Sequence, residues 1–167
     1  MDVYQALSKA GEAYDMVDYG SFAMNAMRME KGFKGAGELN NEVTLPEADV
    51  MRFVKMDKDF IGKDKTQISV DETDKPWICS YIEIDKQGDI YGHGGEAVCL
   101  DGQVVGSTAS VAYGPSVDKI LAFAYLKPMA AKAGTELEVI VHGKARGARV
   151  LEEPVYDPQS LLPRTDA

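Results

Sequence analysis

The hydrophobic period of the chain changes at Pro76, and this change constrains the fold more than any other feature of the sequence. Beyond Pro76, apolar and polar residues alternate in short segments, as in β-strands with one buried face. The first such segment places Ile78, Ile82 and Ile84 on one face. The segments that read as strands or hairpins are 77–85, 98–106 with an Asp101-Gly102 turn, 119–126, and 135–152 with a turn near His142-Gly143-Lys144. Short strands at this spacing predict a closed or nearly closed antiparallel barrel.

Before Pro76 the apolar residues recur at helical spacing. A first helix is predicted from an Asp2 cap to Gly11. Its apolar face is made by Val3, Ala6, Leu7 and Ala10. A second helix is predicted from a Ser21 cap to Gly32, and apolar residues surround its whole circumference. We therefore expect the second helix to be buried on most sides.

A third helix start is predicted at the T-L-P-E sequence. Thr44 and Glu47 have the spacing of a capping box, and Pro46 falls in the first turn, where its missing N–H costs nothing. Further along, Phe60 and Ile61 belong to a short turn and are expected to point inward.

These patterns predict an α+β fold in two parts joined by a linker. The helical part covers residues 1–66, the polar linker residues 67–75, and the barrel residues 76–167. There is no apolar run long enough to predict a membrane span, and the N-terminus lacks the pattern of a secretory signal.

The net charge and the cysteine content limit the classes of binding partner and the cellular compartment that we expect. The 167 residues carry a net charge of -9, which argues against nucleic acid or an anionic membrane as a partner. Two cysteines, Cys79 and Cys99, lie in strand-like segments and are interpreted as reduced core thiols of a cytoplasmic protein.

The residues taken alone form no complete active site. His93 and His142 lack partners at metal-ligand spacing, so no zinc site is predicted. The glycine-rich residues 92–96 lack the Lys-Ser/Thr ending of a phosphate loop and are interpreted as a flexible turn.

Arg28 and Glu30 stand out as charged residues in an apolar helix. A guanidinium on a buried helix must be paired, because an isolated buried charge costs several kcal/mol. One interpretation is that Arg28 bonds backbone carbonyls or a carboxylate such as Glu38 or Glu47 and fixes the following loop, whose bend delivers Glu38 and Asn40 to the interior. The other is that this glycine-rich loop faces a ligand.

Two stretches of the chain carry a recognisable signature: M-R-M-E-K-G-F-K-G-A-G-E-L-N-N-E-V-T-L-P-E-A and the later D-F-I-G-K. Together they resemble the signature of the aminomethyltransferase family, which includes the tetrahydrofolate-dependent T-protein of glycine cleavage. The form of the motif is most similar to the C-terminal folate regions of dimethylglycine and sarcosine dehydrogenases. Residues 92–158, ending in P-V-Y-D-P, are similar to the family's C-terminal barrel. The resemblance covers nearly the whole chain, in the family's order.

The resemblance implies that residues 1–66 complete a folate-binding domain and that a T-protein C-terminal barrel follows. It implies tetrahydrofolate as the cofactor, no metal, and a small methylamine-type substrate that supplies the one-carbon unit. Family members are about twice as long, and their catalytic aspartate belongs to the polypeptide upstream. The expectation is therefore that Met1 is an internal or truncated start, that no catalytic residue is present here, and that an N-terminal half or a flavin oxidase domain is missing.

Three residues are expected to contact the folate because of the family positions that they match: Arg52, Tyr113 and Arg149. The chain departs from the family pattern at Ala36, Asp49, Arg52 and Ala109. Phe33 replaces the cysteine carried by the family branch that aids iron–sulfur assembly, which argues against that branch.

Three functions remain open from the sequence. The first is the C-terminal portion of a folate-dependent aminomethyltransferase-like protein that handles one-carbon units from glycine, dimethylglycine or sarcosine. The second is a non-catalytic module that closes the folate channel or docks a partner. The third is a folate-dependent demethylase acting on a sulfonium or aryl ether.

Overall fold

A computed structural model describes residues 2–88 and 92–164 of the chain. The helices are α1 (Asp2–Gly11), α2 (Ser21–Glu30) and α3 (Lys63–Asp71). The strands are β1 (Ile78–Ile84), β2 (Ala97–Leu100), β3 (Gln103–Gly114), β4 (Lys119–Leu126), β5 (Glu136–Val141) and β6 (Lys144–Val150). Short 3-10 turns occur at Glu12–Tyr14, Met51–Phe53, Pro128–Ala130 and Leu162–Arg164.

The six strands form a closed antiparallel barrel in the order β1-β4-β3-β2-β5-β6, which confirms the predicted architecture. Closure is made by β1 and β6, where Ile82 pairs with Val150. Both predicted hairpin turns are present, and each places two residues in the left-handed region, as a type I′ turn requires. The φ angles are 50° at Asp101 and 74° at Gly102, and 48° at His142 and 76° at Gly143.

Alternation along the strands fills the barrel with apolar side chains. The interior core contains Ile82, Ile84, Val98, Val105, Val111, Ile120, Ala122, Ala124, Leu126, Ala130, Leu137, Val139, Val141, Ala148 and Val150. Burial of this apolar surface is the main stabilising contribution to the barrel.

A second, smaller core lies outside the barrel wall. Met29 of α2 is fully buried and packs with Cys79, Ala112, Leu121 and Phe123, which face outward from β1, β3 and β4. Both cysteines are free thiols and buried, as predicted. Helix α2 is thus held by one face against the outside of the barrel.

The end of α2 is a Schellman motif. Gly32 has φ 66° and donates from its N–H to Met29 O at 3.0 Å, while Phe33 N–H donates to Arg28 O at 2.8 Å. These two bonds satisfy carbonyls that the helix end leaves free. Gly32 therefore turns the chain away from the helix, as expected, although the helix itself ends at Glu30.

The burial expected of the second helix is wrong. Phe22, Met24 and Met27 of α2 are each more than half exposed. The predicted apolar face of α1 is exposed throughout, with Val3 and Leu7 at 74% and 60%. Helical periodicity identifies an apolar face but not the element that covers it.

The predicted caps of these helices are also wrong. Gly20, and not Ser21, is the N-cap of α2 and makes no side-chain cap bond. Asp2 lies inside the first turn of α1. Gly11 ends α1 as predicted.

The predicted third helix is reduced to one turn. The reciprocal bonds of the capping box do form, from Thr44 N–H to Glu47 Oε2 at 2.7 Å and from Glu47 N–H to Thr44 Oγ1 at 3.4 Å. Asp49, at φ 52°, then reverses the chain before a helix can propagate. Phe60 is partly buried as expected, whereas Ile61 is fully exposed.

Helix α3 occupies residues 63–71 and so runs across the predicted boundary between helical part and linker. In the described residues, none of the helices combines the length and apolar character required to cross a membrane.

Candidate functional site

The loop after α2 is organised by the paired side chains of Arg28 and Glu38. Arg28 Nε donates to Asn25 Oδ1 at 2.9 Å, and Arg28 NH1 donates to Phe33 O and Glu38 Oε2, both at 3.0 Å. The predicted anchor is thereby confirmed, with Glu38 as the carboxylate. Glu38 is fully buried, and its Oε2 also accepts from Gly35 N–H at 2.6 Å.

The same loop is tied to the barrel through tyrosine hydroxyls. Tyr125 of β4 donates to Glu38 O, and Tyr81 of β1 donates to Met29 O, both at 2.6 Å. Glu30 is buried and accepts from Ser116 N–H at 2.7 Å, which fixes α2 to the β3–β4 connection. Arg28 and Glu30 are therefore polar anchors of α2.

The expectation that Asn40 is delivered to the interior is wrong. Asn40 is exposed and uses its side chain within the loop, where its Oδ1 accepts from Glu42 N–H at 2.8 Å. The bend buries Glu38 alone because only that side chain meets Arg28 and the loop amides.

A cleft of about 320 Å³ lies between this loop and the barrel. We call it the Arg52 cleft. The loop side contributes Gly32, Lys34, Asp49 and Arg52, the barrel contributes Cys79, Tyr81 and Phe123, and residues 150–154 close one end. The rings of Tyr81 and Phe123 lie 5.2 Å apart and form an aromatic floor.

Lys34 supplies a cation at the edge of this floor. Its Nζ bonds both the backbone O and Oδ2 of Asp49 at 3.1 Å and lies 5.8 Å from the centre of the Phe123 ring. Asp49 is largely exposed, so this ion pair is open to solvent on one side. A carboxylate entering the cleft would compete with Asp49 for Lys34.

An apolar groove of about 410 Å³ continues from the cleft. The two share Gly32, Lys34, Asp49 and Arg52, and the groove adds Phe33, Leu39, Leu45, Val50, Phe53 and Val54. The Arg52 guanidinium carbon lies 4.7 Å from the centre of the Phe53 ring, which is a cation–π contact. The combined surface can take a ligand with flat apolar and anionic parts.

The three nominated folate contacts fall at different places. Arg52 is exposed and lines both the cleft and the groove. Tyr113 lines a separate cavity with Asn25 and Phe22, and its hydroxyl donates to Asp118 Oδ1 at 2.7 Å. Arg149 is exposed on the barrel's outer surface, in register with Glu83 and Glu136.

Lys34, Asp49 and Phe53 are site residues that the sequence reasoning did not select as ligand contacts. Their cleft arises only when segment 32–54 docks on the barrel, which is a non-local contact. The one available signal was Asp49, noted as a departure from the family pattern.

Cys79, the thiol that lines the cleft, is not activated for covalent chemistry. Desolvation raises the pKa of the Cys79 thiol to about 12, so it stays protonated at neutral pH and is a poor nucleophile. Among residues 2–88 and 92–164 no group of His, Cys, Asp and Glu side chains is placed to hold a metal ion.

Two family models match the chain in sequence order. The GCVT N-terminal domain matches residues 1–58, and the glycine cleavage T-protein C-terminal barrel domain matches residues 79–157. Dimethylglycine dehydrogenase of Mus musculus is 35% identical over 92% of this chain and 18% of its own length. An aminomethyltransferase of Symbiobacterium thermophilum is 30% identical over 92% of this chain and 41% of its own length.

The crystal structure of glycine cleavage system aminomethyltransferase T from Bartonella henselae superposes with a TM-score of 0.73 at 20% identity. That match covers 81% of this chain and 38% of the other, and it supports the fold alone. The chain spans about two fifths of the length of the aminomethyltransferase and about a fifth of the dehydrogenase. By its two matched models it belongs to the aminomethyltransferase (glycine cleavage T-protein) family and corresponds to the C-terminal part of these relatives.

Proposed function

We propose that this chain is the C-terminal portion of a tetrahydrofolate-dependent, aminomethyltransferase-like protein that handles one-carbon units from a small methylamine substrate. The observation that carries the proposal is the position of Arg52. Arg52 was nominated by its position in the family motif, and it lines both the cleft and the adjoining groove.

The residues around Arg52 fit the chemistry of a folate. A folate joins flat rings to a glutamyl tail that carries carboxylates. The guanidinium of Arg52 and the ammonium of Lys34 would pair with the carboxylates, since a guanidinium matches a carboxylate bidentately. Phe53 and its apolar neighbours would pack against a ring.

In this scheme the bound tetrahydrofolate supplies the nitrogen that accepts the one-carbon unit. The residues of this chain bind and orient it, and the apolar groove excludes water from one side. The proton-handling carboxylate would come from the polypeptide that precedes the matched region in the relatives. Tyr113 and Arg149 stay predictions as further folate contacts.

Saturation-transfer NMR of the 167-residue chain with tetrahydrofolate tests this proposal, because the method detects weak binding to part of a site. We expect transfer to the aromatic protons of the ligand, loss of that transfer in Arg52→Ala, and retention in Arg164→Ala, an exposed arginine outside the cleft. No transfer with the wild-type chain, or equal transfer in Arg52→Ala, would overturn it.

A second function, a module that docks a partner, is favoured by the exposed apolar surface of α1, α2 and their connection. Large apolar side chains there are half exposed or more: Val3, Tyr4, Leu7, Tyr14, Met16, Val17, Tyr19, Phe22, Met24 and Met27. Exposed apolar patches of this kind mark interaction sites. The partner would be the rest of an aminomethyltransferase N-terminal domain or a flavin oxidase domain, in the same chain or another.

The two functions differ in what the isolated chain can do. A docking module folds but neither binds folate nor converts methylamines. Detectable turnover of dimethylglycine or sarcosine by the purified 167 residues would rule out a purely structural role.

A further inference from the structure

Arg146 is a buried cation inside an apolar barrel. Its residue exposure is 7%, and it pairs across the β5–β6 ladder with Val139, which is fully buried in the interior core. By the alternation of β6, the side chains of Arg146, Ala148 and Val150 face the interior. Within the described ranges, Arg146 is the only charged residue that is buried at an interior-facing strand position.

Part of the Arg146 guanidinium is left without a protein acceptor within the described part of the chain. Its NH1 is buried without a hydrogen-bond partner. Guanidinium groups stay charged in proteins, so this charge is permanent. An uncompensated buried charge is strongly unfavourable, so an anion bound beside this group would stabilise the fold.

The acidic side chains of the adjacent strands do not face Arg146. Glu138 pairs with Gly147, on the outer face of the ladder. Asp85 lies over that same outer face, since a Cβ added at Gly147 would clash with its Oδ2. Glu83 is engaged by Lys119 Nζ at 2.6 Å.

Lys144 adds a second cation on the same face. It pairs directly with Val141, whose side chain is buried in the interior, so Lys144 stands at the barrel rim two residues from Arg146. Two residues along a strand span about 7 Å, a separation at which two cations can hold one oxyanion. Lys144 is exposed, and so an anion can approach from solvent at the β5–β6 turn.

We propose that Arg146 and Lys144 form an oxyanion-binding site at this end of the barrel, separate from the Arg52 cleft. The ligand is a small carboxylate or phosphate held by the Arg146 guanidinium fork, with Lys144 as the outer cation. This site would couple the stability of the barrel to the anion.

Thermal unfolding in acetate, in inorganic phosphate and in chloride at equal ionic strength tests the proposal. We expect the wild-type Tm to rise in acetate or phosphate above its value in chloride, by roughly 3 °C for each tenfold increase in anion above its Kd. Comparing the two anions distinguishes a carboxylate ligand from a phosphate ligand.

Variants separate this site from general charge screening. Arg146→Met should abolish the anion-specific rise, Arg146→Lys should keep a weaker one, and Lys144→Met should reduce it. Arg164→Met, at an exposed arginine of the C-terminal 3-10 turn, should leave it unchanged. An equal Tm in all three salts for the wild-type chain would overturn the proposal. A rise in Arg146→Met or in Arg146→Lys as large as the rise in Arg164→Met would also overturn it.

Discussion

Arg28 NH1 donates to the fully buried Glu38 Oε2 at 3.0 Å, and this pair joins the end of α2 to the loop that forms the Arg52 cleft. The cation belongs to a helix packed on the barrel, and the carboxylate belongs to a loop without regular structure. This ion pair, with the amide of Gly35 that supports it, is therefore one of the contacts that set the shape of the cleft.

Replacing Glu38 by alanine should destabilise the chain by about 2–4 kcal/mol, because Arg28 and the Gly35 amide lose their acceptor. Urea unfolding followed by circular dichroism measures the change. Glu42→Ala, at an exposed acid of the same loop, is the control and should cost less than about 0.5 kcal/mol. Similar costs for the two variants would contradict this account of the loop.

Gly32→Ala should be destabilising by about 1–3 kcal/mol, through positive φ and a steric clash. Gly32 has φ 66°, and a Cβ there would lie 2.8 Å from Pro154 Cγ. Gly20→Ala is the matched control, since its Cβ would meet open space at an extended φ of -94°. Denaturant midpoints of the two variants give the comparison, and an unchanged midpoint in Gly32→Ala would refute the prediction.

The turn at residues 92–96 should make stability depend on acid pH through Glu96. Burial alone would raise the pKa of Glu96, but hydrogen bonds from Thr108 Oγ1 and from the amides of His93 and Gly94 outweigh it and lower that pKa. A carboxyl group whose pKa is lower in the folded state stabilises the fold above its unfolded pKa of about 4.3 and loses that contribution as pH falls through the folded value.

Unfolding free energies of the wild-type chain and Glu96→Gln between pH 7 and pH 3 test this linkage. The difference between them should be about 0.5–1 kcal/mol at neutral pH, solvent screening included, and should shrink below pH 4. A difference that stays constant with pH would show that the carboxylate charge has no part in holding the turn.

Cys79 should resist alkylation in the folded chain. Its thiol is buried and its pKa is raised to about 12, so the thiolate fraction at pH 8 is very small. Mass spectrometry after iodoacetamide treatment should show modification of Cys79 only when urea unfolds the chain. Labelling in native buffer at the rate of a free thiol would contradict the buried position.

The apolar surface of α2 should contribute little to the stability of this chain by itself. Phe22→Ser should change the unfolding free energy by less than about 0.5 kcal/mol and should reduce binding of a hydrophobic dye. Met29→Ala, on the buried face of the same helix, should cost about 2–5 kcal/mol. Equal costs would mean that Phe22 is packed as well as Met29.

The barrel could be predicted because its signals are local. Strand alternation and the Asp101-Gly102 and His142-Gly143 turns each specify their own hairpin, and the register follows. The capping box at Thr44 was also local and formed, but propagation of its helix depended on Asp49, which the sequence pattern could not place at positive φ.

The candidate site was only partly predictable, because several of its contacts are not local in the sequence. The pairing of Arg28 with Glu38 followed from the cost of an unpaired charge, and Arg52 followed from its position in the motif. Lys34 and Phe53 face the cleft only because a loop folds back onto the wall of the barrel. That contact joins distant parts of the chain and leaves no periodic signal.

The pairing of Ile82 with Val150 has a consequence for how this protein would aggregate. Because β1 and β6 complete the ring, each strand in the described residues pairs with a neighbouring strand on both sides over at least part of its length. Unwanted association of the folded protein should therefore proceed through side-chain contacts of its helices, and polar substitutions there should improve solubility without disturbing a single ladder hydrogen bond.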